Sequence, residues 1–462
     1  MATKNKLLLA FYGDDFTGST DALEQLTLAG VRAALFIKPP MPKQLARFKG
    51  LQAVGVAGMT RSLTPVAMER ELLPVLKKLK ALGARHVHYK VCSTFDSSPK
   101  IGSIGRAIDV GAEVFRASFV PVLAAAPALG RYTIFGTHFA RYGIGSAGAI
   151  HRLDRHPSIS KHPVTAMTEA DLCVHLGKQT KKSIALFDVL KVALPQAEAR
   201  AAFRQLLAES PEVILFDALE SEHLNSIGAL LEIHASAKRP LFSVGSSGIE
   251  TALAGRFNSR SSRRKEAPSE VADKVSLLTS AATNQVLVGS GSCSPVTGGQ
   301  IAWALKHGFA EVPLKVAALT SSTSADLENR RACQATADLL RAGCSVIVHT
   351  TKRGSDERIA AKLKGNTAQI LGTALGKVLR GALEQSPVRR LCIAGGDTSS
   401  FAARALGVEA LEMIAPLTPG APLCRAHAPG SPADGLEVVF KGGQVGGDDY
   451  FGLVGKRMKP RS

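Results

Sequence analysis

Residues 6–37, KLLLAFYGDDFTGSTDALEQLTLAGVRAALFI, decide the fold class. Lys6 to Tyr12 is a continuous apolar run, as expected of a strand buried on both faces. It runs into Gly13-Asp14-Asp15-Phe16-Thr17-Gly18. Ser19 to Ala29 then reads as a helix with Leu23 and Leu26 on one side, and Gly30 closes it. Val31 to Ile37 is the next strand. Strand, turn, helix and strand within about thirty residues predict a parallel α/β sheet.

The same rhythm continues outward. Ala53 to Ala57 reads as a strand, Pro65 to Leu82 as a helix and His86 to Lys90 as a strand. Further strand candidates are Phe119 to Leu123, Tyr132 to Phe135, Ile184 to Val189, Val213 to Ala218 and Leu241 to Val244. Residues 256–275, RFNSRSSRRKEAPSEVADKV, break the pattern because they are polar, basic and almost free of large apolar side chains. Beyond them the rhythm restarts with strands at Val286 to Val288, Val312 to Ala317, Ser345 to His349 and Arg390 to Ile393. The helices between are Val296 to Lys306, Ala325 to Leu340 and Thr367 to Leu383. The expectation is two α/β domains with largely parallel sheets, residues 1–255 and 280–462, joined by a linker at 256–279 and meeting at a cleft.

The chain has 462 residues, enough for two or three domains. Hydrophobic residues at 45% and charged residues at 21% exclude disordered and low-complexity classes. No apolar run approaches a membrane span, and no export signal is visible, so the reading is cytoplasmic with no membrane partner. The seven cysteines are scattered with no C-x-x-C pair, which argues against disulfides and zinc ribbons. Lys+Arg 57 against Asp+Glu 38 gives a net charge of +19, which favours acidic partners. Basic residues cluster at 256–265 and in the tail from Lys456 to Arg461. With one Trp and five Tyr there is no basic stripe interleaved with aromatics, so small anions are expected rather than specific nucleic acid.

No Walker A loop or dinucleotide fingerprint is present. The second half instead carries three glycine-rich turns. Gly289-Ser-Gly-Ser-Cys-Ser-Pro295 lies between strand and helix, as does Gly395-Gly396-Asp397-Thr398-Ser399. Lys441-Gly-Gly-Gln-Val-Gly-Gly447 follows the strand Leu436 to Phe440. Small residues let backbone N–H groups face an anion at a helix N-terminus. One such turn serves any α/β crossover; three in one half point to a phosphate site on the carboxyl edge of the sheet.

In the first half Asp14-Asp15 ends the first strand. Adjacent carboxylates suit proton abstraction or cation holding, whereas the bland alternative is a helix cap. Lys90-Val-Cys-Ser-Thr-Phe-Asp96 is a second strand-end cluster of charge and hydroxyls. Arg61, after the strand at Ala53 to Ala57, suits a carboxylate clamp or a plain surface position. His86 and His88 share a strand face at ligand-like spacing without an evident acidic or cysteine partner, and zinc is not expected there. His162, ahead of Pro163, suits a substrate loop or a plain surface loop.

Asp14-Asp15-Phe16-Thr17-Gly18, Lys90 to Asp96, His162-Pro163-Val164-Thr165, Gly291 to Thr297, Gly395 to Ser399 and Lys441 to Gly446 occur in the order seen in the four-carbon acid sugar kinases. This family includes 3-oxo-tetronate, D-threonate and D-erythronate 4-kinases, and the chain most resembles the 3-oxo-tetronate branch. The resemblance implies an N-terminal sugar-acid domain, a C-terminal ATP domain, and Mg²⁺-assisted phosphorylation of a terminal C4 hydroxyl. It implies Asp15 or Asp14 as the base, and Arg61, Lys90, Ser93, Thr94, Asp96 and His162 toward the acid. It implies Ser292, Ala394, Gly395, Gly396, Asp397, Thr398, Gly442 and Gly443 toward ATP. A homodimer is compatible with it. Three sugar-half motifs depart from the family form: Gly102-Ser103-Ile104-Gly105 for Gly-Asn-Ile-Gly, Gly136-Thr137-His138-Phe139 for Gly-His-Leu-Phe, and Thr165-Ala166-Met167 for Thr-Pro-Met. Other readings kept open are a non-catalytic binder of nucleotide or nucleic acid, and a sugar-acid aldolase or isomerase.

Overall fold

The computed structural model describes residues 7–142, 148–161, 165–261, 285–351 and 367–456. Its chain separates into two compact units, Met1–Arg260 and Ser261–Ser462.

The first unit contains β1 (Leu9–Gly13), β2 (Ala33–Phe36), β3 (Ala53–Ala57), β4 (His86–Lys90), β5 (Val120–Leu123), β6 (Arg131–Ile134), β7 (Thr137–Arg141), β8 (Ile150–Arg152), β9 (Ile184–Phe187), β10 (Val213–Phe216) and β11 (Leu241–Gly245). Eight of these form a parallel sheet in the order β2-β3-β1-β4-β11-β5-β10-β9. The central strands are buried throughout because helices cover both faces, and they are apolar except for β4, which carries His86, His88 and Lys90. Met68, Leu72 and Leu76 of the helix Pro65–Ala81 join Tyr12, Tyr89 and Phe242 of the sheet in one buried cluster. From β1 the chain lays β2 and β3 on one side, then places β4 on the other. The carboxyl ends of β1 and β4 therefore flank a point where the strand order reverses, which is where open α/β sheets bind ligands.

The segment Tyr132 to Phe135, expected as one more strand of this sheet, belongs elsewhere. It is β6 of a separate antiparallel sheet, β6-β7-β8. Gly136, at φ +74°, turns β6 back onto β7, so the run starts a hairpin rather than a crossover. The helix Gly248–Ser261 extends into the stretch read as a linker; residues 262–284 lie outside the described residues.

The second unit contains β12 (Val286–Ser290), β13 (Ala310–Pro313), β14 (Val346–His349), β15 (Arg390–Ala394), β16 (Ala410–Thr418), β17 (Ala421–His427) and β18 (Glu437–Lys441). Their order is β13-β14-β12-β15-β18-β17-β16, parallel up to β18 and antiparallel from there. The strand order reverses between β12 and β15. The strand expected at Val312 to Ala317 ends early: Pro313 closes β13, and Val316–Thr320 is a 3₁₀ turn. No described helix is long and apolar enough to cross a membrane.

Candidate functional site

Asp14 and Asp15 stand at the carboxyl end of β1 and are 3% and 4% exposed. The two differ in what holds them. Asp15 caps the helix Phe16–Leu28: its side chain accepts from the Gly18 backbone N–H at 2.8 Å and from Thr17 Oγ1 at 2.9 Å. Arg61 Nη2 pairs with Asp15 Oδ2, the oxygen that accepts from Thr17, at 3.0 Å. Asp14 meets only Arg61 Nε at 3.5 Å, and its Oδ1 has no hydrogen-bond partner among the described residues. Burial pushes the Asp14 carboxyl up to about 6; Arg61 opposes the rise and Asp15 adds to it. Burial works against the Arg61 charge as well, but Asp15 and Asp14 outweigh it and hold the guanidinium well above its ordinary range.

Lys90 ends β4 beside β1, with Asp14 N–H donating to Lys90 O at 2.8 Å. Its ammonium is 1% exposed, donates to Val91 O at 2.8 Å and faces Asp21 Oδ2 at 3.4 Å. Burial disfavours the charge, yet Asp21 and Glu250 keep the Lys90 pKa raised. Gly18 is required here: a Cβ on it would lie 2.4 Å from Asp15 Oδ1 and 3.3 Å from Lys90 Nζ.

Ser93, Thr94 and Asp96 follow in the same loop. Thr94 Oγ1 donates to Asp96 Oδ2 at 2.8 Å, and Ser93 O receives His138 Nε2 at 2.9 Å. Asp96 Oδ1 is buried without a partner among the described residues. Phe95 takes φ +57° so that its ring enters the core while its neighbours stay in the loop. The structure thus gathers Asp14, Asp15 and Arg61 into one ion-pair network and sets Lys90 beside it. His162 lies outside the described residues.

Sequence reasoning missed Asp21, Glu250 and the acid under His86. Asp21 is a charged residue buried on the helix Phe16–Leu28 beside Glu24, Ser19 and Thr20. Glu250 follows Ser246-Ser247-Gly248 after β11 and is fully buried, with neither carboxyl oxygen hydrogen-bonded among the described residues. Burial raises its pKa to about 8, although Lys90 opposes this. His86 pairs with Glu232 at 2.9 Å, a partner 146 residues away that local reading cannot reach. His88 binds the Ser243 hydroxyl and carbonyl, and burial followed by Lys90 drives it down to about 3. No three-residue metal cluster occurs among the described residues.

In the second unit Ser290, Ala394 and Lys441 are register partners at the ends of β12, β15 and β18. Their turns consequently leave the sheet side by side. Gly395 has φ +124°, a conformation that side chains oppose, and the helix Gly396–Ala405 starts directly after it. Gly396 is the first helical residue, so backbone strain on substitution falls at Gly395 rather than at Gly396. A Cβ on Gly291 would lie 2.4 Å from Thr398 Oγ1, and one on Gly443 would lie 2.8 Å from Ser292 Oγ. The three turns therefore converge, which brings Ser292, Ala394 to Thr398 and Gly442-Gly443 together through their backbone. The helix Pro295–Lys306 points its N-terminus at the same place, and Ser294 Oγ is buried there without a partner among the described residues.

Lys441 lies beneath these turns, fully buried, with Nζ donating to Thr297 Oγ1 at 3.2 Å and lying 5.5 Å from the Tyr450 ring centre. Burial lowers its pKa to about 8, and among the described residues no acid pairs with it. A buried cation without a counter-ion, under a ring of glycine turns, suits an incoming anion.

Comparison with known proteins gives matching assignments for the two halves. A family model described as a sugar-binding N-terminal domain matches residues 9–253, and one described as a nucleotide-binding C-terminal domain matches 287–451. A 3-oxo-isoapionate kinase from Paraburkholderia graminis is 42% identical over 458 residues, covering 97% of this chain and 94% of the relative. A 3-oxo-tetronate kinase from Pseudomonas fluorescens is 30% identical over 451 residues, covering 96% and 95%. A solved structure from Salmonella typhimurium LT2 shares the fold with TM-score 0.72 at 24% identity, covering 96% of this chain and 98% of that one.

Proposed function

The chain belongs to the four-carbon acid sugar kinase family, in which a sugar-binding N-terminal domain precedes a nucleotide-binding C-terminal domain, and we propose that it transfers the γ-phosphoryl group of ATP to the terminal C4 hydroxyl of a 3-oxo sugar acid. The acid class rests on what the names of the relatives share: 3-oxo-isoapionate and 3-oxo-tetronate are both 3-oxo acids. The higher identity to the isoapionate kinase puts that acid first, ahead of 3-oxo-tetronate, threonate and erythronate.

The observation that carries the reading is Asp14. A general base needs a carboxylate oxygen free to take a proton and an affinity near the working pH. Asp14 Oδ1 is unpartnered among the described residues and the group sits at about 6, whereas Asp15 is held by the helix cap and Arg61. Asp14 takes the hydroxyl proton as the oxygen attacks phosphorus, and the bond to ADP breaks. Arg61 fixes both carboxylates. Arg61, Ser93, Thr94 and Asp96 receive the acid, and Lys90 keeps the surroundings of the carboxylate pair cationic.

In the second unit the turns at Ser292, Gly395-Gly396 and Gly442-Gly443 hold the ATP phosphates through backbone N–H groups, with Lys441 below. Transfer of this kind depends mainly on positioning and charge neutralisation. Mg²⁺ would be carried by the ATP phosphates with at most one or two protein ligands. When bound, such an ion would supply charge neutralisation at the phosphate oxygens.

Purified protein with ATP, Mg²⁺ and a panel of 3-oxo acids, threonate and erythronate is expected to release ADP with a 3-oxo acid. ADP at background with every acid would overturn the proposal.

A further inference from the structure

The small antiparallel sheet of the first unit brings a further cation to the loop Lys90–Asp96. Arg131 and Thr133 share one face of β6, and register sets Ala140 and His138 of β7 opposite them. All four are buried. His138 fastens this face to the loop: its Nε2 donates to Ser93 O at 2.9 Å, and its Nδ1 accepts from Thr133 Oγ1 at 2.9 Å. Arg131 stands on the same face, two residues before Thr133.

Arg131 is 4% exposed. Its Nη1 donates to three backbone carbonyls, Leu129 at 2.9 Å, Gly130 at 3.3 Å and Arg141 at 3.1 Å. Nε and Nη2 form the edge of a guanidinium that takes a carboxylate side-on. Neither makes a hydrogen bond among the described residues. No carboxylate pairs with Arg131 among the described residues, and residues 143–147 and 162–164 contain no Asp or Glu. Burial lowers its pKa, and Cys92, Asp96 and Asp21 offset this only in part, so the charge is under-compensated.

The other cations of the site are taken. Arg61 pairs with Asp14 and Asp15, and Lys90 faces Asp21. Asp96 supplies a complementary acceptor: its Oδ2 receives Thr94, while its Oδ1 is buried without a partner among the described residues. A buried cationic edge and a buried carboxylate oxygen, both unmatched, are costly unless a ligand meets them. A hydroxy acid matches both, with an anion for the one and an O–H for the other.

We propose that Arg131 binds the carboxylate of the acid through Nε and Nη2, while Asp96 Oδ1 accepts from a hydroxyl of the same molecule, so that the two select a hydroxy acid over an uncharged sugar. This inference rests on the reading of the first unit as the acid-holding one, and it adds the residue that reads the charge of the acid.

The test measures kcat/KM of the full-length protein with ATP and Mg²⁺ for 3-oxo-tetronate and for its uncharged primary amide. Wild type is expected to prefer the acid by about 10²-fold or more, the size of a buried charge pair. Arg131→Gln is expected to remove most of that preference by slowing the acid alone. Amide turnover within about 3-fold of wild type shows that the variant is folded. Arg131→Lys keeps the charge and gives up the fork, and is expected to lose about 10-fold on the acid with the amide unchanged. If wild type turns over the amide as well as the acid, or if both variants slow acid and amide by the same factor, Arg131 only braces the hairpin while the kinase reading stands. If wild type turns over neither compound nor any other acid, the kinase reading falls and takes this inference with it.

Discussion

The two units place their candidate sites at the same topological position and build them from opposite materials. In the first, the strand ends carry buried charge: Asp14, Asp15, Arg61 and Lys90, backed by Asp21 and Glu250. In the second, the strand ends carry glycine turns, small hydroxyls and one buried lysine. The contrast follows from the proposed ligands. A small polyhydroxy acid must be deprotonated at one oxygen and told apart from its isomers, which needs side chains of defined charge. A triphosphate offers many equivalent oxygens, which backbone N–H groups and a helix N-terminus accommodate without side-chain detail.

The comparison breaks most visibly at Asp14. Asp14→Asn is expected to lower turnover about 10²- to 10⁴-fold, as removal of a general base does, with ATP affinity unchanged. Asp15→Ala is expected to cost less in rate and about 1 kcal/mol in stability, because it removes the helix cap. Steady-state kinetics and denaturant unfolding of both variants check this. Equal rate losses would erase the distinction between them.

The second unit should fail differently. Gly395→Val places a β-branched side chain at φ +124°, so its KM for ATP is expected to rise about 10-fold or more while KM for the acid holds. Gly396→Val, at a helical position, should do less. Normal ATP affinity in a folded Gly395 variant would remove this turn from the site.

The pH dependence should also divide. Asp14 acts only when ionised, so kcat is expected to fall as pH drops through about 6. Lys441 attracts phosphate only when charged, and its pKa is lowered to about 8, so ATP affinity is expected to weaken as pH rises through about 8. Lys441→Met should remove that alkaline limb and leave the acid limb. A limb that persists in the variant would assign it elsewhere.

The smallest effect concerns Glu250. Its folded-state affinity is raised from 4.5 to about 8, so the folded form binds the proton more tightly than the unfolded chain. That contribution is fully present below about pH 4.5 and is lost as pH rises through about 8. Glu250→Gln is expected to flatten the fall in unfolding free energy across this range, read from urea midpoints. An unchanged slope would show that Glu250 is ionised in the native protein.

How much of this was legible in the chain follows from where the information lies. Apolar strand runs and glycine punctuation are local, so Ala53–Ala57 and His86–Lys90 could be bounded directly from sequence. The hairpin Ala410–Thr418 with Ala421–His427 was not, because its outer strand is only half buried and lacks a strict alternation. The glycine turns were legible because a turn that brings backbone to a ligand leaves its mark in consecutive residues. The charge network was legible only in part. Asp14-Asp15 and Lys90 sit at strand ends, but Glu250 and Glu232 reach β4 across more than 140 residues and carry no local mark. The difference between Asp14 and Asp15 is one of hydrogen-bond geometry, which spacing alone does not encode.

The division of labour between the units is tested most directly by titration calorimetry of ATP into Asp14→Asn and Gly395→Val, side by side with wild type. The account predicts wild-type affinity in Asp14→Asn and a loss of about 10-fold or more in Gly395→Val. Loss of ATP affinity in Asp14→Asn together with its retention in Gly395→Val would contradict it.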